Sequence, residues 1–399
     1  MPRRPSPIAE LTPEIATCFA VTALAHAGIY LLNALLPLHV VALGGSKTQV
    51  GLLFTVSTLT SMLLRPLAGA WNDHWGFRRV ALPGAGTLVL ATLALWGAGA
   101  PALVVALMVG IGLGNALVTT SAGVHVAKVS PPASRGEAIS LYYVATSLGC
   151  AAGPPLAILL YRWGGTGPAF AVALGTLVAA AGLTARVGGG GRPAAERAPG
   201  AFRVVSLHAV PVSAALVLVT LGHSSLYAFL PLHAIAGGQG AALSWFFTVY
   251  ALCVITCRFA LRRMSDRAGR GPVVAAAMGS TALGYVALAV PPSGPSLLAG
   301  ALLLGAGAAL LYPTLVALLI DRTPEAERGL ALGTLSASWD VGAASGALLV
   351  GLTVERTSYA AGFGLAAATA ALGLGAFLAL ERRRVGRRDL PRPAPGVSF

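Results

Sequence analysis

The stretch Arg65–Arg79 reads R-P-L-A-G-A-W-N-D-H-W-G-F-R-R and closes a long apolar run with Gly69, Asp73, Gly76, Arg78 and Arg79 in one short loop. It returns in weaker form from Arg258 as R-F-A-L-R-R-M-S-D-R-A-G-R-G-P, where Arg258, Asp266 and Gly269 each stand 193 residues after Arg65, Asp73 and Gly76. The same offset recurs along the chain. Arg135-Gly136 returns as Arg328-Gly329, Gly149 and Gly153 as Gly342 and Gly346, and Gly112 and Gly114 as Gly305 and Gly307. Leu36-Pro37-Leu38-His39 is echoed, one residue off register, by Leu230-Pro231-Leu232-His233. The chain reads as a tandem duplication of a unit of about 190 residues, and such a period constrains the fold before any other reading.

Composition says what solvent the repeat lives in. Hydrophobic residues make up 56% of the chain and charged residues 10%, against a soluble globule. A net charge of +14 raises the question of nucleic acid, but the basic residues punctuate the gaps between apolar runs, as in the cytoplasmic loops of a membrane protein. No nucleic-acid partner is expected. The four cysteines, Cys18, Cys150, Cys253 and Cys257, lie within apolar runs and suggest neither a disulfide framework nor a metal site. The first apolar run is too long for a cleavable signal and lacks a small-residue cleavage site.

Spanning a bilayer takes about 20 apolar residues, and twelve segments qualify. Numbered TM1 to TM12, they are expected at 14–42, 48–70, 80–99, 102–126, 136–160, 166–186, 208–235, 242–262, 272–290, 296–320, 330–353 and 358–380. The expected organisation is an N-terminal segment 1–13, a six-helix bundle 14–186, a Gly/Pro/Arg-rich linker 187–205, a second bundle 206–380 and a basic tail 381–399. With the N-terminus inside, only Lys47, Arg162 and Arg356 of the 27 basic residues fall outside, so both termini are expected in the cytoplasm. Six spans per unit is an even number. The halves therefore share one orientation and are related by an axis along the membrane normal, with the substrate path between them near the bilayer midplane.

Twelve spans in two repeats, a basic central loop and the G-x-x-x-D-x-x-G-x-R-R loop resemble the major facilitator superfamily over nearly the whole chain. Gly69, Asp73, Gly76, Arg78 and Arg79 carry the loop signature, with Trp75 and Phe77 where basic residues are common in that family. Gly149-Cys150-Ala151-Ala152-Gly153-Pro154 resembles the G-x-x-x-G-P element of antiporter branches, although Ala157 and Ile158 replace its final glycine pair. Met108 departs further: it stands where drug/proton antiporters carry a TM4 arginine. The resemblance implies an all-α fold of two pseudo-symmetric six-helix bundles and alternating-access transport of a small molecule, with protons and membrane lipids as the other partners. No cofactor beyond a proton gradient is implied, and a monomer is expected in the inner (cytoplasmic) membrane.

Asp340 is the sharpest single residue, roughly ten positions into TM11, where an ionisable group costs several kcal/mol unless paired, hydrated or protonated. The resemblance packs TM2 against TM11, which makes Arg65 its expected counter-charge. Two readings stay open: a proton-coupling or substrate-cation site, and a static ion pair. The loop residues Gly69, Asp73, Gly76, Arg78 and Arg79, with Arg258, Asp266 and Gly269 from the second copy, are expected to form a cytoplasmic gate. In that gate a carboxylate faces the positive end of a helix from the opposite half; the bland alternative is that these charges only set topology. His26, Tyr30 and Asn33 share one face of TM1, and His223 and Tyr227 pair on TM7, so these stripes are expected to line the cavity. The two histidines are either proton-coupling groups or plain interhelical hydrogen-bond partners. Asn115, Thr119, Tyr142, Tyr143, Trp245, Tyr250, Tyr312 and Trp339 are expected to complete a mixed polar–aromatic lining.

No G-x-x-x-x-G-K-[ST] occurs, which argues against ATP drive, and no metal cluster or Ser/His/Asp spacing supports an enzyme. Proton-driven efflux is the favoured reading, symport of a sugar or organic acid the alternative, and a non-transporting sensor a third. Few buried charges, essentially Asp340 and the two arginines Arg65 and Arg258, argue weakly against a strictly anionic or phosphorylated substrate.

Overall fold

The computed structural model describes residues 13–130, 135–187, 205–261, 267–324 and 327–388, with only the backbone at a few helical positions, Tyr143 among them. The N-terminal segment up to residue 12, residues 188–204 of the expected linker, Asp266 and the end of the basic tail lie outside the described residues. Within them the fold is all-α and twelve helices are long and apolar enough to cross a membrane. TM1 to TM6 are Pro13–Ala42, Lys47–Trp75, Phe77–Trp96, Pro101–Val129, Arg135–Gly164 and Thr166–Arg186. TM8 to TM12 are Gly240–Ala260, Arg270–Ala289, Gly294–Arg322, Arg328–Arg356 and Tyr359–Arg388.

Two segments depart from expectation. TM7, read as one helix, runs in three pieces: Val210–Thr220, His223–Ala228 and Leu230–Ala236. Pro231 has no N–H to donate, and its ring crowds the carbonyl one turn back, so the ladder breaks near Phe229. TM12 continues as helix to Arg388, past the expected limit of 380, because Glu381 takes both guanidinium arms of Arg322 at 2.6 and 2.7 Å.

Local chemistry places the helix ends. Ser46 opens TM2 with a capping box: its hydroxyl accepts from the Gln49 N–H, and the Gln49 side chain accepts from the Ser46 N–H. At the turns into TM3 and TM9, Gly76 and Gly269 adopt φ of +79° and +85°. Side chains resist that region and glycine does not, so the repeated loop glycines serve the same backbone need twice.

The repeated helix glycines mark matching close approaches in the two halves. A Cβ on Gly149 would meet the Ala23 carbonyl of TM1 at 2.7 Å, and one on Gly153 the Ala27 carbonyl at 2.7 Å. Their copies Gly342 and Gly346 press TM11 on Val217 and Leu221 at the first break of TM7. Gly112 meets Ser57 on TM2 as Gly305 meets Tyr250 on TM8. With no hydrophobic drive between helices in lipid, such small-residue contacts are what let backbones approach and bundles hold. The bundles meet along three seams, TM2 with TM11, TM5 with TM8, and TM1 with TM7. Leu63, Leu90, Leu159 and Leu372 on the outer surface are 60–68% exposed, as a lipid-facing belt requires.

Candidate functional site

A cavity of about 660 Å³ lies between the two bundles, walled by TM1, TM2, TM4, TM5, TM7, TM8, TM10 and TM11. Arg65 of TM2 and Asp340 of TM11 meet across it, Nη1 donating to Oδ2 at 2.5 Å. The carboxylate side is the deeper partner, with Asp340 11% exposed and Arg65 38%. A charge at this depth needs such a partner, and each half contributes one member of the pair.

Tyr30 and Tyr227 touch edge to face at 5.2 Å between ring centroids, joining TM1 to TM7. His223 lies 5.7 Å from Tyr227 and 5.0 Å from Trp339, which in turn lies 5.5 Å from Tyr312. The Tyr312 hydroxyl pairs with Ser336 Oγ at 3.1 Å. His26 Nδ1 lies 2.9 Å from the Thr22 carbonyl, which can only accept, so that nitrogen carries the proton and Nε2 keeps its lone pair. On the facing wall Asn115 donates to Ser61 Oγ at 3.4 Å, and the Tyr142 hydroxyl donates to the Thr119 carbonyl at 2.9 Å. Asn33 and Tyr250 also line the space.

Three expectations need correction or a boundary. Trp245 is 70% exposed on the outer face of TM8 and does not line the cavity. Five residues separate it from Tyr250, about 500° of helical turn, which leaves the two side chains on different faces. Arg258, expected at the cytoplasmic gate, is in the cavity wall, where Nη1 donates to Ser147 Oγ of TM5 at 2.9 Å. Arg258 stands in the last turn of TM8, and its guanidinium turns into the cavity wall instead of toward the loop. The side chain of Tyr143 lies outside the described residues.

Among the described residues the loop charges form no ion pair between the halves. Asp73 Oδ1 pairs with Lys128 Nζ of TM4 at 2.8 Å, within its own bundle, and Arg78 and Arg79 are exposed beside His74. A Cβ on Gly69 would stand 4.0 Å from the Thr120 side chain as TM2 passes TM4. The opposite end of the molecule is sealed instead. Glu355 of TM11 accepts from the backbone N–H groups of Lys47 and Thr48 at 2.5 and 3.2 Å, a carboxylate from one half on the positive end of a helix from the other. Deeper along the same seam the Thr55 hydroxyl donates to the Ala344 carbonyl at 2.7 Å, and Gly51 lies against Ala347. Further along the same two helices the Arg65–Asp340 pair joins them across the cavity. Glu355 was not foreseen; its signal was an acid one residue from the end of TM11, 308 residues from the helix it caps.

The TM5 element Gly149, Gly153 and Pro154 is a packing seam against TM1 that positions His26 and Tyr30; the Gly149 position abuts His26 Cβ at 2.6 Å. Met108 is buried in the hydrophobic core and does not line the cavity. Cys253 and Cys257 sit 3.8 Å apart as free thiols. Among the described residues no cluster of three or more His, Cys, Asp or Glu is gathered for a metal.

Known proteins share this architecture. An uncharacterised MFS-type transporter of Salmonella typhimurium is 29% identical over 352 residues, 85% of this chain and 89% of its own length. The staphylopine export protein of Staphylococcus aureus is 23% identical over 80% of this chain and 84% of its own. Among solved structures, the nucleoside transporter NupG superposes with a TM-score of 0.73 at 13% identity, covering 91% of this chain and 99% of that one. The sequence profile of the Major Facilitator Superfamily matches residues 18–237 and again 212–399. With twelve spans, the repeated loop and a cavity between two six-helix bundles, the chain belongs to the major facilitator superfamily.

Proposed function

We propose that this protein is a secondary transporter that exports a small molecule across the cytoplasmic membrane by alternating access in exchange for protons, with both termini in the cytoplasm. The Arg65–Asp340 pair carries the reading, because it joins the two halves and faces the cavity. A proton taken by Asp340 would remove its negative charge and free Arg65. That step alters a contact between bundles and the charge of the cavity together, as coupling requires. Met108 leaves the TM4 antiporter position uncharged, so proton exchange falls to Asp340, with His26 and His223 as neighbouring candidates. The sealed end, closed by Glu355, would face the outside, and the opposite end would face the cytoplasm. Asp73 would re-form its gate against TM11 when that end closes. The relationship to the staphylopine export protein and the TM5 element support export.

The test uses purified protein in liposomes with a pH-sensitive dye trapped inside. Candidate compounds are added with and without a pH gradient to wild type and Asp340→Asn. Substrate-triggered proton flux in wild type, lost in the variant, is expected, and its sign separates antiport from symport. Unchanged proton-coupled flux in Asp340→Asn would make the pair structural and end this reading.

A further inference from the structure

The 193-residue offset that relates Arg65 to Arg258 also relates Asp340 to Ser147. The structure makes both pairs in three dimensions. Arg65 of TM2 meets Asp340 of TM11, and Arg258 of TM8 meets Ser147 of TM5. The two seams are thus copies of one design, and they differ at one decisive position. On one seam the guanidinium is neutralised by a carboxylate. On the other a hydroxyl stands in the acid's place, and a hydroxyl leaves the positive charge uncancelled.

Among the described residues no carboxylate pairs with Arg258, and its Nε–H is buried without an acceptor. Its other neighbours in the wall, Tyr250 and Cys150, bring a phenol and a thiol and no carboxylate. Arginine does not shed its proton in proteins, so the cavity holds a fixed cation whose donor fork is only partly used. A cation at membrane depth is retained only when something answers it. We propose that Arg258 and Ser147 bind a carboxylate on the transported molecule, so that the substrate is an organic monoanion or a zwitterion with an apolar, ring-bearing body. The inference rests on the transport reading above and names its substrate class. One unpaired guanidinium matches one negative charge, which favours a carboxylate over a phosphate dianion. Tyr30, Tyr227 and Trp339 offer the rest of the molecule aromatic faces in the same 660 Å³ cavity. The sparse buried charge that argues against a strictly anionic or phosphorylated substrate is compatible with a single carboxylate set against Arg258.

Equilibrium binding to the full chain in detergent tests this without requiring transport. The probes are phenylacetate, indole-3-acetate and naphthalene-2-acetate, each against its neutral amide, with chloride and inorganic phosphate as controls. At least one acid is expected to bind wild type about tenfold or more tightly than its amide, the gain of a charge-assisted hydrogen bond. Arg258→Gln should abolish that preference and Arg258→Lys keep part of it, since lysine retains the charge but loses the fork. Ser147→Asp should abolish it too, by copying the other seam and neutralising Arg258 from within. All three variants are first checked for an unchanged melting profile. The proposal is overturned if no acid binds with Kd below about 1 mM. It is equally overturned if amides match acids in wild type, or if the preference survives Arg258→Gln and Ser147→Asp. Chloride or phosphate competing as well as the acids would show an inorganic counter-ion and overturn it. An acid preference that persists in Asp340→Asn, together with normal proton flux in that variant, would sink the coupling role of Asp340 and leave this one standing.

Discussion

Asp340 and Arg65 hold opposite charges on opposite halves, so the effect of losing either depends on what the other is left facing. Removing Arg65 leaves a carboxylate 11% exposed with no counter-charge; removing Asp340 leaves a guanidinium that still reaches the cavity. Arg65→Gln is therefore expected to destabilise by about 1–3 kcal/mol, less than the ~3–5 kcal/mol of a fully buried pair because Arg65 is half exposed. The double variant Arg65→Gln/Asp340→Asn should melt above Arg65→Gln alone in detergent. A double variant no better than the single would mean the two charges do not depend on each other. At this scale the sequence was informative wherever chemistry is rare for its surroundings. An acid inside an apolar run announces itself, and the stripe His26, Tyr30 and Asn33 was legible from helical spacing. Trp245 was not, because an aromatic side chain suits both a cavity and lipid and only its rotation about TM8 separates the two. Arg258 was misplaced for a related reason: the motif shows where a loop signature begins, not which way the side chain of its first residue turns.

The element scale belongs to the glycines. Gly346 lets TM11 lie directly on the Leu221 carbonyl at the break in TM7, where backbone cannot step aside as a flexible side chain does. Gly346→Ala is expected to cost at least the ~1–3 kcal/mol of overpacking and to lower the melting temperature clearly. Gly364→Ala on TM12 meets open space and should leave melting unchanged or slightly raised. Equal behaviour of the two variants would mean that the TM7–TM11 approach is not the reason for the repeated glycine. The repeat announced these seams, since glycines at a fixed offset imply the same contact made twice. It did not reveal the break in TM7, because Pro37 sits inside an unbroken TM1 while its echo Pro231 stands in the first turn of a new helical piece. Local sequence is nearly the same at both prolines, and packing against neighbouring helices sets the outcome.

At the scale of the whole molecule, the TM2–TM11 seam is closed where Glu355 caps TM2, while at the other end Asp73 pairs with Lys128 in its own bundle. A carboxylate on a helix N-terminus contributes about 1 kcal/mol, and that much changes a ratio of two states about fivefold. Glu355→Gln should therefore move population toward the state closed at the other end. Spin labels at Arg79→Cys and Leu207→Cys, on that end in the two halves, would report it as a larger short-distance component in their distance distribution. The same distribution in both proteins would remove Glu355 from the conformational balance.

Amino-acid order alone determined the twelve spans, the duplication and the two-bundle architecture, because bilayer thickness and backbone hydrogen bonding leave an apolar chain few alternatives. It also determined that Asp340 needs a partner, since membrane depth makes an isolated charge costly. Tertiary structure decided what that partner touches, which end is sealed, and that Arg258 faces the cavity beside a serine where its twin faces an acid. Those outcomes depend on helix rotation, depth and the contact of residues hundreds of positions apart, and period and composition carry none of these.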